Sequence, residues 1–153
     1  MLARFFSYRG RTRRRGGCVL RRSAREAALQ SLFQMDIGKV DMETALETAL
    51  SFHELSLAAE EFSKKLIEVT WTNLAQIDKL LQSYSIGWSL ERMGNVDRNI
   101  LRIAICELLF FEIPPSVSIN EAVELSKEYG DVNSSRFVNG ILGNIARETK
   151  PLK

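Results

Sequence analysis

Val96-Asp97-Arg98-Asn99-Ile100-Leu101-Arg102-Ile103-Ala104-Ile105-Cys106-Glu107-Leu108-Leu109-Phe110-Phe111 places apolar side chains almost all the way round a helical projection, with Arg98 and Arg102 four apart on the stripe that remains. A helix that is apolar on nearly every side must be enclosed by other elements. This stretch is therefore the expected centre of the fold, and its surroundings decide the fold class. Pro114 and Pro115 end it, because proline lacks an amide donor and restricts the residue before it.

Downstream, Ser118-Ile119-Asn120-Glu121 has the spacing of a capping box and predicts a helix start there. Ala122, Val123, Ser126 and Tyr129 would face inward, with Gly130 as a left-handed terminator. A last helix over 134–148 directs Phe137, Val138, Ile141, Leu142 and Ile145 to the core. Gly140 and Gly143 within it suggest close approach of another backbone, since each costs about 1 kcal/mol relative to Ala.

Upstream, Gly87 and Gly94 bracket a short helix with Trp88, Leu90 and Met93, the expected hinge between two halves. Before it, Phe62, Leu66, Val69, Asn73, Ile77, Leu80 and Tyr84 keep a three-or-four spacing that predicts one helix of about seven turns, capped by Ser56. A helix over 42–53 follows Asp41 as its cap. The first helix, over 22–37, has the small residues Ala24, Ala27, Ala28 and Ser31 beside Leu32 and Met35 on one face, with Gly38 as its stop. Strand alternation is essentially absent, so the expectation is all-α, with about seven helices in two packed halves.

Charge is distributed unevenly. Nine of the first 25 residues are Arg (4, 9, 11, 13, 14, 15, 21, 22 and 25), and no Asp or Glu precedes Glu26. The other 12 basic residues face all 19 acidic ones, so a net charge of +2 conceals a basic start of +9 and a body of −7. Guanidinium groups are planar forks suited to phosphate, which makes nucleic acid the first partner to consider. Residues 1–20 lack helical periodicity and are expected to form a flexible Arg-rich extension, with the globular domain over 21–150. Arg21, Arg22 and Arg25 stand at the expected start of the first helix, against its dipole, where a polyanion and the free amides would together compensate them. Phe5, Phe6, Tyr8 and Phe33 are aromatic neighbours able to stack on bases.

Other chemistry is poorly supported. His53 is the only histidine and has no evident partner, which argues against a histidine metal site or a hydrolytic triad. Glu60, Glu61, Asp97, Glu107 and Glu121 form no diagnostic pair, and no glycine-rich phosphate loop is present. Cys18 and Cys106 imply no disulfide framework, Cys106 being the expected buried thiol. Without an apolar stretch long enough for a bilayer or a signal peptide, the expected location is cytoplasmic. No enzyme, cofactor or metal is expected.

Three stretches resemble the NusB family of bacterial transcription antitermination proteins. Arg21-Arg22-Ser23-Ala24-Arg25-Glu26-Ala27-Ala28-Leu29-Gln30-Ser31-Leu32-Phe33 is similar to its opening helix, and Asn95 to Ala104 with Glu107-Leu108 to its central helix. The third is Ser118-Ile119-Asn120-Glu121-Ala122-Val123-Glu124-Leu125-Ser126-Lys127, followed by Tyr129-Gly130 and Phe137-Val138-Asn139-Gly140-Ile141-Leu142. The resemblance implies an all-helical RNA-binding adaptor that, with the small ribosomal protein NusE, binds the boxA element of ribosomal RNA leaders and supports read-through by RNA polymerase.

Carried over by position, it implies RNA contacts at Arg21, Arg22 and Arg25, stacking at Phe33 where many relatives have Tyr, and acceptors for base amino groups at Glu91 and Asp97. Asn133, where many relatives have Asp, and Arg136 match a partner-binding region. The acidic body would suit a basic ribosomal protein. An accessory domain of an RNA cytosine methyltransferase and a general helical interaction module stay open as alternatives, as do a monomer and a homodimer for the free state.

Overall fold

The computed structural model describes residues 17–149, with side chains from residue 21 onward. Of the expected flexible extension over 1–20, residues 1–16 lie outside the described residues, and residues 17–20 are helical, opening the first helix instead. Among those described are seven α-helices and one 3-10 turn: α1 (Gly17–Asp36), α2 (Met42–Leu50), α3 (Leu57–Thr72), α4 (Leu74–Tyr84), the turn Leu90–Arg92, α5 (Asn95–Phe110), α6 (Pro115–Tyr129) and α7 (Ser134–Glu148). The chain divides into two compact units between Ile67 and Glu68, within α3.

In the first unit, α1 packs on α2. Every residue of α1 from Ala24 to Met35 is buried, with Ala24, Ala27, Ala28 and Ser31 fully so. Small side chains allow α2 to come near: the Ser31 hydroxyl lies 2.8 Å from the Ala27 carbonyl oxygen and 3.4 Å from that of Ala45. The Asp41 carboxylate caps α2 by accepting from the Thr44 amide at 3.0 Å, and this bond holds its carboxyl below the usual value. Ser56 likewise caps α3 through the Ala59 amide, at 3.2 Å. After α1 the left-handed residue is Lys39, with φ of 54°. Gly38 is instead required by proximity, since a Cβ there would stand 2.8 Å from the Gln34 carbonyl oxygen.

The expected seven-turn helix is two helices, α3 and α4, separated at Asn73. Asn73 has φ −106° and ψ 20°, and its side-chain amide donates to the Val69 carbonyl at 2.8 Å. Its own backbone amide donates to the same oxygen. A short amide side chain that competes for backbone acceptors in this way favours interruption of a helix.

In the second unit, α5 packs against α4, α6 and α7, and α6 lies along α7. The encirclement of α5 is complete from Arg98 to Leu109, all buried. Even its polar stripe is enclosed. Arg102 donates through Nε and Nη2 to the two carboxylate oxygens of Asp78 on α4, at 2.7 and 2.8 Å, and through Nη1 to Asn99 at 3.1 Å. Arg98 donates to the Leu90 carbonyl at 3.0 Å and to Asn95 at 3.1 Å, fastening the 3-10 turn to the helix. Burial pushes the Cys106 thiol up to about 12, as suits an inert core sulfur.

Three glycine and cap expectations need correction. Helix α6 begins at Pro115, three residues before Ser118, because proline at the first helical position has the required φ and no amide to satisfy. Ser118 is thus within the helix, its amide bonded to the Pro114 carbonyl. Its hydroxyl donates to the buried Glu107 at 3.1 Å, so the capping-box pattern serves as a link from α6 to α5. Gly130 is extended, with φ −90° and ψ −173°, and is not a left-handed terminator.

The close approach expected at Gly140 and Gly143 is also missing. A Cβ at Gly140 would meet nothing within 4 Å, and one at Gly143 only the Arg147 side chain at 3.7 Å. Gly140→Ala should therefore raise unfolding stability by about 0.5–1 kcal/mol, through helix propensity and a less flexible unfolded chain. Urea titration would show this as a higher midpoint at unchanged slope. A lower midpoint would reveal a packing role that the open surroundings do not show.

Candidate nucleic-acid interface

Because α1 starts at Gly17, Arg21, Arg22 and Arg25 lie beyond the first turn. The dipole penalty has faded by that depth, and the unpaired amides belong to the turn before. The expectation that these arginines sit on the helix N-terminus is corrected accordingly. They do share a region, but at three depths: Arg21 is exposed, Arg22 is half-buried, and Arg25 is only 2% exposed.

Phe62, on α3, organises two of them. The guanidinium carbons of Arg21 and Arg25 stand 5.6 and 5.3 Å from the centre of its ring. Both distances are within cation–π range. Phe33 is a core residue, 2% exposed, so in this conformation its ring offers no face to a base. The stacking role expected for it is not supported by that placement, since the all-round burial of α1 encloses it. His53 in the same unit lies 2.8 Å from the Gln30 side-chain oxygen, and burial lowers its pKa.

The second unit has an acidic counterpart. Glu91 is exposed in the 3-10 turn, while Asp97 is half-buried in the first turn of α5, where the helix dipole favours an anion. Asp97 accepts from the Ser134 hydroxyl at 3.0 Å, and that oxygen also accepts from the Asp131 amide at 2.9 Å. Burial raises the pKa of Asp97 and the neighbouring charge of Asp131 adds to this, against the opposing hydrogen bond from Ser134. Asp131 also accepts from the Asn133 amide at 3.0 Å, setting the entry to α7.

Above this network is a cavity of about 360 Å³ lined by Trp88, Arg92, Met93, Asp97, Asn133 and Phe137 among others. Trp88 is half exposed and tilted 47° to Phe137, with ring centres 6.2 Å apart. Its loop is held by Gln82, whose side chain donates to the Trp88 carbonyl at 2.8 Å and accepts from the Leu90 amide at 3.1 Å. Gly87 supplies the left-handed residue the loop needs, with φ of 82°.

Asp97 and Asn133 thus meet in one cavity, whereas Arg136 lines a separate open groove of about 520 Å³ with Ile119, Asn120, Val123 and Asn139. Glu91 stands on the turn beside the cavity. The helical periodicity that placed Phe62 in a core stripe did not reveal its contact with the arginines. An aromatic residue in a glycine-bracketed loop, Trp88, was the available signal for the cavity. Among the described residues no group of three His, Cys, Asp or Glu side chains is arranged to hold a metal ion, and no helix is long and apolar enough to cross a membrane.

Comparison with known proteins is consistent across sequence and structure. The model of the NusB family matches residues 22–147. The transcription antitermination protein NusB of Pelotomaculum thermopropionicum is 50% identical over 137 residues, covering 86% of this chain and 94% of that protein. Its counterpart from Symbiobacterium thermophilum is 45% identical over 139 residues, covering 85% and 91%. Among solved structures, T. maritima NusB superimposes with a TM-score of 0.79 at 42% identity, over 86% of this chain and 93% of that one. A structure of antitermination factors NusB and NusE in complex with dsRNA gives 0.78 at 27% identity, over 86% and 98%. On this sequence and structural evidence, the chain belongs to the NusB family.

Proposed function

We infer that the protein is a transcription antitermination factor that binds the boxA element of ribosomal RNA leader transcripts together with NusE and supports read-through by RNA polymerase. The observation that carries this reading is the likeness to the NusB chain solved with NusE and RNA, which extends over 86% of the present chain. It acts in the cytoplasm as an adaptor without catalytic chemistry. The NusB proteins of P. thermopropionicum and S. thermophilum match over 94% and 91% of their own length, which favours this reading over a methyltransferase accessory domain.

Within it, Arg21 and Arg22 are the phosphate contacts, and Arg25 supports them from beneath. Glu91 and Asp97 accept from base amino groups, while Asn133 and Arg136 serve partner binding. The arginines provide the most direct test. Arg21→Ala with Arg22→Ala should weaken boxA RNA binding and lower the salt slope by about 1–2 units, as expected for the loss of up to two phosphate contacts. Fluorescence anisotropy against boxA and scrambled RNA, with and without NusE, measures both quantities. Unchanged affinity and slope would remove these arginines from the interface. Equal affinity for the two RNAs in the presence of NusE would favour a general anion-binding module.

A further inference from the structure

We propose that Phe62 is a positioning residue of the RNA interface, its ring face holding the Arg21 guanidinium in a phosphate-ready orientation without neutralising it. The proposal rests on the reading of Arg21 as an RNA contact.

Its basis is the pairing of two cations with one ring. Arg21 and Arg25 are one helical turn apart on α1, where like charges repel. Both are nevertheless gathered at Phe62, 5.6 and 5.3 Å from the ring centre. The negative face of an aromatic ring attracts guanidinium, and the planar group can lie against it. Arg25 is deep and Arg21 is exposed, so the ring joins a buried member to one that faces solvent.

The choice of ring over carboxylate matters for binding. A carboxylate would engage the N–H fork of Arg21 and oppose its charge, so an incoming phosphate would have to displace it. A ring attracts the cation without opposing its charge, so the positive charge stays available to a phosphate. It also restricts a long side chain that would otherwise have to be ordered on binding, which lowers the cost of association. Among the described residues no ion pair to Arg21 is formed, in keeping with this arrangement.

The test compares Phe62→Leu, which keeps an apolar side chain and removes the ring, with Phe62→Trp, which retains a stronger cation–π face. Affinity for a boxA RNA is measured by anisotropy in the full chain, for each variant alone and combined with Arg21→Ala, with circular dichroism melting alongside. Phe62→Leu should bind about two- to fivefold more weakly, as expected when part of the cost of ordering one long side chain falls on binding. Phe62→Trp should bind at least as tightly as the parent, and Phe62→Leu should add little once Arg21 is Ala.

Parental affinity in Phe62→Leu, with Arg21→Ala weakened, overturns the positioning role and leaves the RNA site standing. A Phe62→Leu loss that persists undiminished in the Arg21→Ala background also overturns it, since the ring would then act independently of Arg21. So does Phe62→Trp binding as weakly as Phe62→Leu. Parental affinity in Arg21→Ala removes both the contact and the residue that positions it.

Discussion

Asp78→Ala should lower unfolding stability by about 3 kcal/mol, the scale of loss that follows removal of one partner from a buried ion pair. Asp78 receives two parallel bonds from Arg102 at 2.7 and 2.8 Å, and the two side chains are 21% and 7% exposed. Arg102 belongs to the part of α5 that is buried from Arg98 to Leu109. Removal of the carboxylate would leave its guanidinium in the interior without its bidentate acceptor, and its bond to Asn99 is to a neutral oxygen. The cost arises mainly from leaving a buried charge without its carboxylate rather than from the net value of the pair. Replacing both, as Asp78→Leu with Arg102→Met, should accordingly recover much of the loss. Urea unfolding measures each variant, and a drop below about 1 kcal/mol for Asp78→Ala would show that water or other protein groups compensate Arg102.

This ion pair also shows what periodicity can and cannot convey. The distribution of apolar residues over 96–111 was sufficient to place α5 at the centre, and the last helix spans the expected 134–148. These elements were legible because each has a sustained pattern set by burial. The partner of Arg102 was not, since Asp78 is 24 positions away and only tertiary packing brings it near. Asn73 was similarly hidden, because it occupies an inward position in an uninterrupted three-or-four repeat and breaks the helix through its side-chain amide. Ser118 to Glu121 misled for a related reason: the same four residues satisfy a capping box or lie inside a helix, and the upstream proline decides between them.

The candidate site divides along the same line. Arginine clustering draws attention to Arg21, Arg22 and Arg25 without distinguishing their burial. The structure separates an exposed Arg21 from a buried Arg25 and places Phe62 against both. Replacing all three arginines together would therefore mix binding with folding. The double substitution at Arg21 and Arg22 is the cleaner probe.

Gly130→Ala is the second substitution with a large expected effect, a loss of about 2–3 kcal/mol from forced overpacking. The backbone at Gly130 is extended and open to any residue, so conformational freedom is not the reason for glycine. Space is. An added Cβ would stand 2.5 Å from the Ser134 hydroxyl oxygen, 2.6 Å from the Ser134 Cβ and 2.7 Å from the Ser126 carbonyl oxygen. The hydroxyl could turn away, but the Ser134 Cβ and the Ser126 carbonyl are fixed to α7 and α6. Separation of those helix ends would displace Ser134 from Asp97 and from the Asp131 amide, which it meets at 3.0 and 2.9 Å. The floor of the Trp88 cavity would then lose its order together with stability. Adding Ser134→Gly removes two of the three clashes, so the double variant should recover part of the stability, with the Ser126 carbonyl still obstructing. Full recovery would assign the whole penalty to Ser134, and a Gly130→Ala protein as stable as the parent would mean that the α6–α7 connection yields without cost.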